Sequence, residues 1–436
     1  MNARTVKGSG GLAALFLSFA ACQPFAPDPP TGDEPIWRAV DGGADFLAQF
    51  DPTLPTGTDY FPVGVWLESV VDRHDIELDR RAGLTTYVEL TENSDLSLLE
   101  GTGMVALVGR DDPLADGFVL ADEGDMWAGA GDAGWTGLWP TQGEPCAPVG
   151  EITACGYTVQ QTVRSRLPPN GLAYANYGKG VTFSLDDAEA RRFVNEFQNI
   201  ISADNYWFTD PNICGGHEGG ALLHAGLDLA PVDCRRAANY GRTVDRVRSL
   251  VEPAGSKPVW AFVELGHPFA EDEAPTITGP EVRAAVWSSL IHGARGIVYF
   301  NHSFGGDCES FHLLREACGD EVRPWVVAVN RQLVALAPAL NAPFLDGAVT
   351  VDGAVDTAVK VDGAVQYLFA AATTDRSAEV TFDLHCAGDG TVTVLGEDRD
   401  LSTVGGTFTD TFADGDAVHL YRYDLASDAT AGCRHP

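Results

Sequence analysis

From about residue 60 to about residue 340, short apolar runs alternate with segments whose apolar residues recur at helical spacing. In sequence, βα units around a parallel sheet look like this. The strand-like runs are 61–66, 85–90, 104–109, 117–123, 172–177, 206–210, 259–264 and 296–300. The first helix holds Asp79, Arg80 and Arg81 and ends at Gly83, and a second spans 157–167. A third is capped by Ser184 with Asp187 three places on, and its apolar face carries Phe193, Phe197 and Ile200. Another covers 235–252. The next opens on the capping box Thr278-Gly279-Pro280-Glu281, with Val282, Val286 and Leu290 on one face. The last repeats apolar residues at Val322, Val326, Val329, Leu333, Leu336 and Leu340. Eight strands and close to eight helices in about 280 residues predict an α/β fold, the (β/α)8 TIM barrel. An open doubly wound sheet would announce a Gly-rich turn after its first strand, and Val65-Trp66-Leu67-Glu68 contains none.

Beyond Pro343 the texture changes. Runs at 348–351, 365–370, 380–384, 392–395 and 418–423 are separated by turns such as Asp352-Gly353 and Asp362-Gly363, which predicts a C-terminal antiparallel β-sandwich. The N-terminus reads as an export leader. Arg4 and Lys7 precede an apolar stretch, 12–21, that is too short to span a bilayer. It ends Phe19-Ala20-Ala21-Cys22, similar to a bacterial lipoprotein signal in which the cysteine is lipidated. The expected divisions are therefore a leader over 1–22, a Pro-rich tether and lead-in over 23–58, a barrel over 59–342 and a sandwich over 343–436. The chain is expected to be exported, as a cell-envelope lipoprotein or an extracellular protein. It meets a membrane only through that lipid.

The remaining cysteines fall into four close pairs, Cys146 with Cys155, Cys214 with Cys234, Cys308 with Cys318 and Cys386 with Cys433. An even set of this kind predicts disulfides and an oxidising compartment. No CxxC or HExxH spacing occurs, so no metal and no cofactor is expected. A formal charge of −34, from 62 acidic and 28 basic residues, repels phosphate backbones and excludes nucleic acid as a partner.

Two strand-like runs end on carboxylates, at Asp122-Glu123 and, about 140 residues later, at Glu264. In a parallel barrel the carboxyl ends of the strands form the mouth where chemistry is placed. Glycoside hydrolysis with retention needs two carboxyls about 5–5.5 Å apart, one to protonate the leaving oxygen and one to attack the anomeric carbon. Glu123 is expected as acid/base and Glu264 as nucleophile, with Asp125 a rival acid. Polar and aromatic residues expected to contact sugar are Trp66, Glu89, Asp122, Asn176, Tyr177, Tyr206, Asp210, Trp260, Tyr299 and His302, with Trp127, Trp135 and Trp139 on the long loop after the fourth strand.

With the acid/base glutamate on strand four and the nucleophile on strand seven, the layout resembles the clan A glycoside hydrolases, the retaining relatives of cellulases and β-galactosidases. Residues 257–264, followed by GPEVRAAVWSSLIHGARGIVYF over 279–300, are similar to the strand seven–helix–strand eight block of those barrels. The resemblance implies a carbohydrate substrate and double displacement without a cofactor. The chain departs from it at Asp122, where the family often has Asn, and at Tyr299-Phe300-Asn301-His302, where strand eight commonly presents Trp. A non-catalytic carbohydrate-binding surface lipoprotein on a degenerate barrel is the alternative that these departures keep open.

Overall fold

The computed structural model describes residues 34–271, 273–425 and 431–433. The leader and Cys22 lie outside the described residues. Residues 34–436 form one compact unit.

The strands Val63–Glu68 (β1), Thr86–Leu90 (β2), Val105–Val108 (β3), Gly117–Val119 (β4), Ala173–Tyr177 (β5), Ile200–Ala203 (β6), Ala261–Glu264 (β7) and Ile297–Phe300 (β8) build one parallel sheet. Their order is β7-β8-β1-β2-β3-β4-β5-β6. A parallel bridge between Ile201 and Val259 closes the ring, with Ile201 N–H donating to Pro258 O at 3.2 Å and Trp260 N–H to Ile201 O at 2.8 Å. The barrel expected from the alternation is therefore present. Most of its strands are buried on both faces, which is why they read as unbroken apolar runs.

The longer helices are Arg73–Arg81 (α1), Gly156–Arg166 (α2), Asp187–Glu196 (α3), Ala238–Leu250 (α4), Gly279–Ile291 (α5) and Arg323–Ala335 (α6). The Thr278/Glu281 capping box that starts α5 is present, and Asp72 with Asp75 starts α1 in the same way. Three expectations are corrected. The third predicted helix is capped by Asp186 with Glu189 rather than by Ser184, and it ends before Ile200. Ile200 opens β6, so the sixth strand is Ile200–Ala203, and residues 206–210 form the turn beyond it. After β2 there is only the short turn Leu96–Leu99, and after β3 only the loop 109–116, so those two connections carry no α-helix.

The C-terminal residues form two antiparallel sheets. One has the order Ile36–Arg38, Phe344–Asp346, Val355–Asp362, Val365–Ala372, Val418–Asp424, Gly390–Val394, Arg399–Thr403. The other is Val349–Asp352, Ala378–Leu384, Thr407–Phe412. Phe382, Phe408 and Phe412 from the smaller sheet and Leu368, Val392 and Tyr421 from the larger share one apolar core, as a sandwich requires. The lead-in is part of the fold. Ile36–Arg38 pairs with Phe344–Asp346, and Phe46 and Leu54 pack with Trp260 and Leu172 at the amino-terminal end of the barrel.

The sandwich sits against α5 through Trp287 and Phe369, whose rings lie 5.0 Å apart. His292, at the end of α5, joins the two parts. Its Nδ1 meets Asp245 at 2.8 Å and its Nε2 meets Asp356 at 3.0 Å. Burial opposes the imidazolium, and the two carboxylates outweigh it and hold the pKa up at about 9. A folded-state pKa raised above the unfolded value gives stability that is full below about pH 6.5 and is lost as pH rises through about 9. His292→Gln is therefore expected to flatten the alkaline limb of the melting-temperature profile, and the wild type should lose up to roughly 3 kcal/mol of its advantage between pH 6 and pH 10. Parallel profiles for the two proteins would remove this charge from the barrel–sandwich contact.

Candidate active site

The carboxyl ends of β1 to β4 open on a cleft of about 480 Å³ lined by Trp66, Glu89, Arg110, Asp122, Trp135 and Trp139, among others. Three non-glycine residues at this mouth hold left-handed backbone, Leu67 (φ 51°), Glu89 (φ 61°) and Glu123 (φ 46°). Such conformations cost on the order of 1 kcal/mol or more each and gather where a fold must aim a side chain. At β2 the strain turns the Glu89 carboxyl against Gly109, where an added Cβ would meet Oε2 at 2.4 Å.

Although β4 ends at Val119, its backbone continues along β5. Leu120 N–H donates to Tyr174 O at 2.8 Å, and Glu123 N–H donates to Asn176 O at 3.1 Å. The chain then folds into a turn closed by Met126 N–H on Glu123 O and by the Trp127 indole N–H on Asp122 O, at 2.8 and 2.7 Å. Gly178 leaves room for the carboxyl, since a Cβ there would lie 2.7 Å from Glu123 Oε1 and push it aside. Asp122 accepts from Asn176 Nδ2 at 3.0 Å, and Asn176 Oδ1 accepts from Ser202 at 2.6 Å. Burial pushes the Asp122 carboxyl up, and the neighbouring Glu123 charge pushes it further. Burial likewise raises Glu123, against a hydrogen bond with Asp204 and the charge of Lys179. Lys179 is fixed by Asp210 at 2.5 Å and Glu218 at 2.8 Å.

Asp125 stands apart. It is buried, and its oxygens accept the N–H groups of Gly178 (3.0 and 3.2 Å) and Val181 (2.7 Å). Burial still raises it to about 6. Its oxygens hold the loop after β5, so it is not a rival acid.

Glu264 ends β7 as expected, but its carboxyl is enclosed, with 0% exposure. Oε1 accepts from Phe208 N–H at 3.1 Å and the Thr209 hydroxyl at 3.4 Å, while Oε2 accepts from the Tyr240 hydroxyl on α4. Burial raises its pKa to about 7 against these donors. The turn over it is pinned by Arg235, which donates to the carbonyls of Phe208 and Asp210. Tyr206 links the two glutamates. After burial, ionisation of its phenol is opposed by the charges of Asp204, Glu123, Glu264 and Asp122, so one side chain lies within electrostatic reach of both.

Other expected sugar contacts divide cleanly. Trp66, Glu89 and Asp122 line the cleft, and Asn176 holds Asp122 from beside it. His302 is buried against Leu67 O at 3.3 Å and packs on Phe300, Phe304 and Phe311. Asp210 is occupied by Lys179. Three expectations are corrected. Tyr177 points outward, donating to Phe193 O at 2.9 Å and to Gln198 at 3.0 Å. Tyr299 also points outward, to Asn330 at 2.8 Å. Trp260 packs on Tyr174 inside the barrel, near its amino-terminal end. Alternation decides the first two, since each neighbours an inward-facing residue.

The sequence reading missed Asp204, which directly follows β6. Its signal was present. Ile200-Ile201-Ser202-Ala203-Asp204 is a short apolar run ending on a carboxylate, the same pattern that singled out Glu123 and Glu264.

The long loop after β4 forms one wall of the cleft. Trp139 lies 5.3 Å from Trp135 and 5.9 Å from Trp127, ring to ring, and the Cys146–Cys155 disulfide ties the loop. The other three pairs, Cys214–Cys234, Cys308–Cys318 and Cys386–Cys433, are also bonded, as expected of a chain that folds in an oxidising compartment. Among the described residues no three of His, Cys, Asp and Glu are arranged to hold a metal ion, and no helix is long and apolar enough to cross a membrane.

No protein-family model and no curated protein sequence matches the chain. Solved structures to which it is similar include a protein described as a glycoside hydrolase, at 9% identity and TM-score 0.48 over 85% of this chain and 93% of that one. A β-L-arabinopyranosidase of family GH27 from Geobacillus stearothermophilus matches at 10% identity and TM-score 0.46, over 85% and 98%. A family 5 glycoside hydrolase from Bacteroides vulgatus matches at 10% identity and TM-score 0.44, over 83% and 89%. Similarity at this level says nothing about activity or substrate.

Proposed function

We propose that the chain is an exported glycoside hydrolase that cleaves O-glycosidic bonds of an oligo- or polysaccharide in the cleft over β1 to β4, with Glu123 as the group that exchanges a proton with the glycosidic oxygen. One observation carries the reading. A partly buried carboxyl, aimed by a strained turn and raised by burial, follows directly on Asp122, which lines a cleft walled by Trp66, Trp135 and Trp139. A general acid must still hold its proton near the working pH, and burial moves this carboxyl in that direction. Indole faces match the C–H surfaces of sugar rings. The reading includes a lipid anchor on Cys22, to be tested by fatty-acid labelling that Cys22→Ser should abolish.

Product stereochemistry tests the role of Glu264. Attack by Glu264 needs the 206–210 turn to open, and it gives a product of retained configuration. With the turn closed the attacking oxygen is that of water, and the first-formed anomer is inverted. NMR of the nascent product separates the two. The enclosure of Glu264 also favours the second reading, a carbohydrate-binding protein without catalysis, which predicts sugar binding by the wild type with no turnover.

Trp139→Ala should raise KM roughly five-fold while leaving kcat within about two-fold, because a stacking wall is worth about 1 kcal/mol and contacts ground state and transition state alike. An unchanged KM would take Trp139 out of the binding surface.

A further inference from the structure

We propose that Asp204 is the proton-sharing partner of Glu123, the two carboxyls holding one proton between them, and that Glu123 passes this proton to the departing oxygen. The inference rests on the glycosidase reading for its chemical use, while the pairing itself stands on geometry. Asp204 follows β6 and Glu123 follows β4, with β5 between them. Asp204 N–H donates to Tyr177 O at 3.0 Å and Glu123 N–H to Asn176 O at 3.1 Å, so both backbones are fixed to the end of β5. The two carboxyls lie close enough for each to act on the ionisation of the other. Asp204 Oδ1 is buried, and no protein N–H or O–H reaches it. A carboxyl–carboxylate contact satisfies that oxygen once one proton is present, and leaves two repelling charges when none is.

The surroundings favour keeping that proton. Asp122 and Asp125 from the β4 turn and the Glu123 charge itself all oppose ionisation of Asp204, after burial. The Asn176 amide on β5 acts the other way and favours the ionised form. Tyr206, two residues on, lies within reach of the pair. Lys179, the cation that acts on Glu123, is shared with Asp210 and Glu218. In the reaction the proton moves from Glu123 to the glycosidic oxygen as the bond between that oxygen and the anomeric carbon breaks and an attacking oxygen, of Glu264 or of water, bonds to that carbon. Over the full cycle one water supplies hydroxide to the sugar and returns a proton to the pair, so no other reactant is needed. Asp204 acts through Glu123 and is a positioning residue.

The test is carboxyl titration by carbon-detected NMR of the full chain without substrate, for wild type, Asp204→Asn, Asp204→Glu and Glu123→Gln. A coupled pair predicts that Glu123→Gln lowers the titration midpoint of Asp204 by about one pH unit or more, and that Asp204→Asn moves that of Glu123. Asp204→Glu, which keeps the second carboxyl, should restore the wild-type midpoint and also guards against a variant that merely misfolds. Midpoints unmoved in both directions would overturn the pairing. With a substrate in hand, the basic limb of the kcat/KM profile should shift in Asp204→Asn and return in Asp204→Glu, whereas a purely structural role would lower the whole profile without moving it. Coupled titration together with no turnover of any glycoside would sink the glycosidase reading and leave the pairing standing.

Discussion

Glu123→Gln is expected to lower kcat on a glycoside by roughly 10²–10⁴-fold, the contribution of one positioned proton-transfer group, while sugar binding measured by calorimetry stays within a few-fold. Glutamine has the size of glutamate and fits against Gly178, whose missing Cβ makes room for Oε1. The strained φ of 46° remains, and so do the backbone hydrogen bonds of the turn, because they use only main-chain atoms. What disappears is the exchangeable proton. Loss of binding in step with turnover would instead make Glu123 a sugar ligand. Equal kcat in variant and wild type would remove it from the chemistry altogether.

The largest effect on stability is expected at Arg315, in the loop after β8. Its side chain is nearly buried and reaches Asp79 at 2.6 Å, Glu68 at 3.0 Å and the Ser69 carbonyl at 2.8 Å. Glu68 also takes hydrogen bonds from Asn301 and from His312, the latter at 2.8 Å, and Asp79 takes one from Tyr87 at 2.6 Å. The network therefore stitches the last barrel loop to β1, β2 and α1. Arg315→Leu takes the guanidinium from between Glu68 and Asp79, leaving His312 on Glu68 alone, which should cost about 3–5 kcal/mol in denaturant unfolding. The triple variant with Glu68→Gln and Asp79→Asn should recover much of that loss, because it is the uncompensated charge that is expensive. A single-variant loss below about 1 kcal/mol would show that water or a local shift already satisfies the two carboxylates.

The barrel was legible because buried parallel strands are apolar runs, and six of the connections carry helical periodicity. What failed was local and had a physical cause. Ile200 continues the apolar spacing of α3, so the sequence offers no boundary between that helix and β6, and the error moved the sixth strand onto the turn at 206–210. That shift hid Asp204. Tyr177 and Asn176 were assigned to one site although neighbours on a strand face opposite sides, and parity alone could have excluded Tyr177. Trp260 has the parity of Glu264 but sits four residues lower, about 13 Å along the strand, too deep for the mouth. The enclosure of Glu264 was out of reach of any local pattern. It depends on Phe208 and Thr209 from one loop and Tyr240 from α4, which meet β7 only once the ring has closed. No strand was legible in the lead-in because three residues, Ile36–Arg38, are too short a run to signal one without their partner at Phe344–Asp346.

The most direct test is reducing-end release from a library of oligo- and polysaccharides by the wild-type chain beside Glu123→Gln, with both shown folded by their melting curves. At least one glycan should be cut by the wild type and left intact by the variant over the same time. Release at equal rates by both proteins, or from no glycan by a folded wild type, would contradict the claim that this cleft breaks glycosidic bonds.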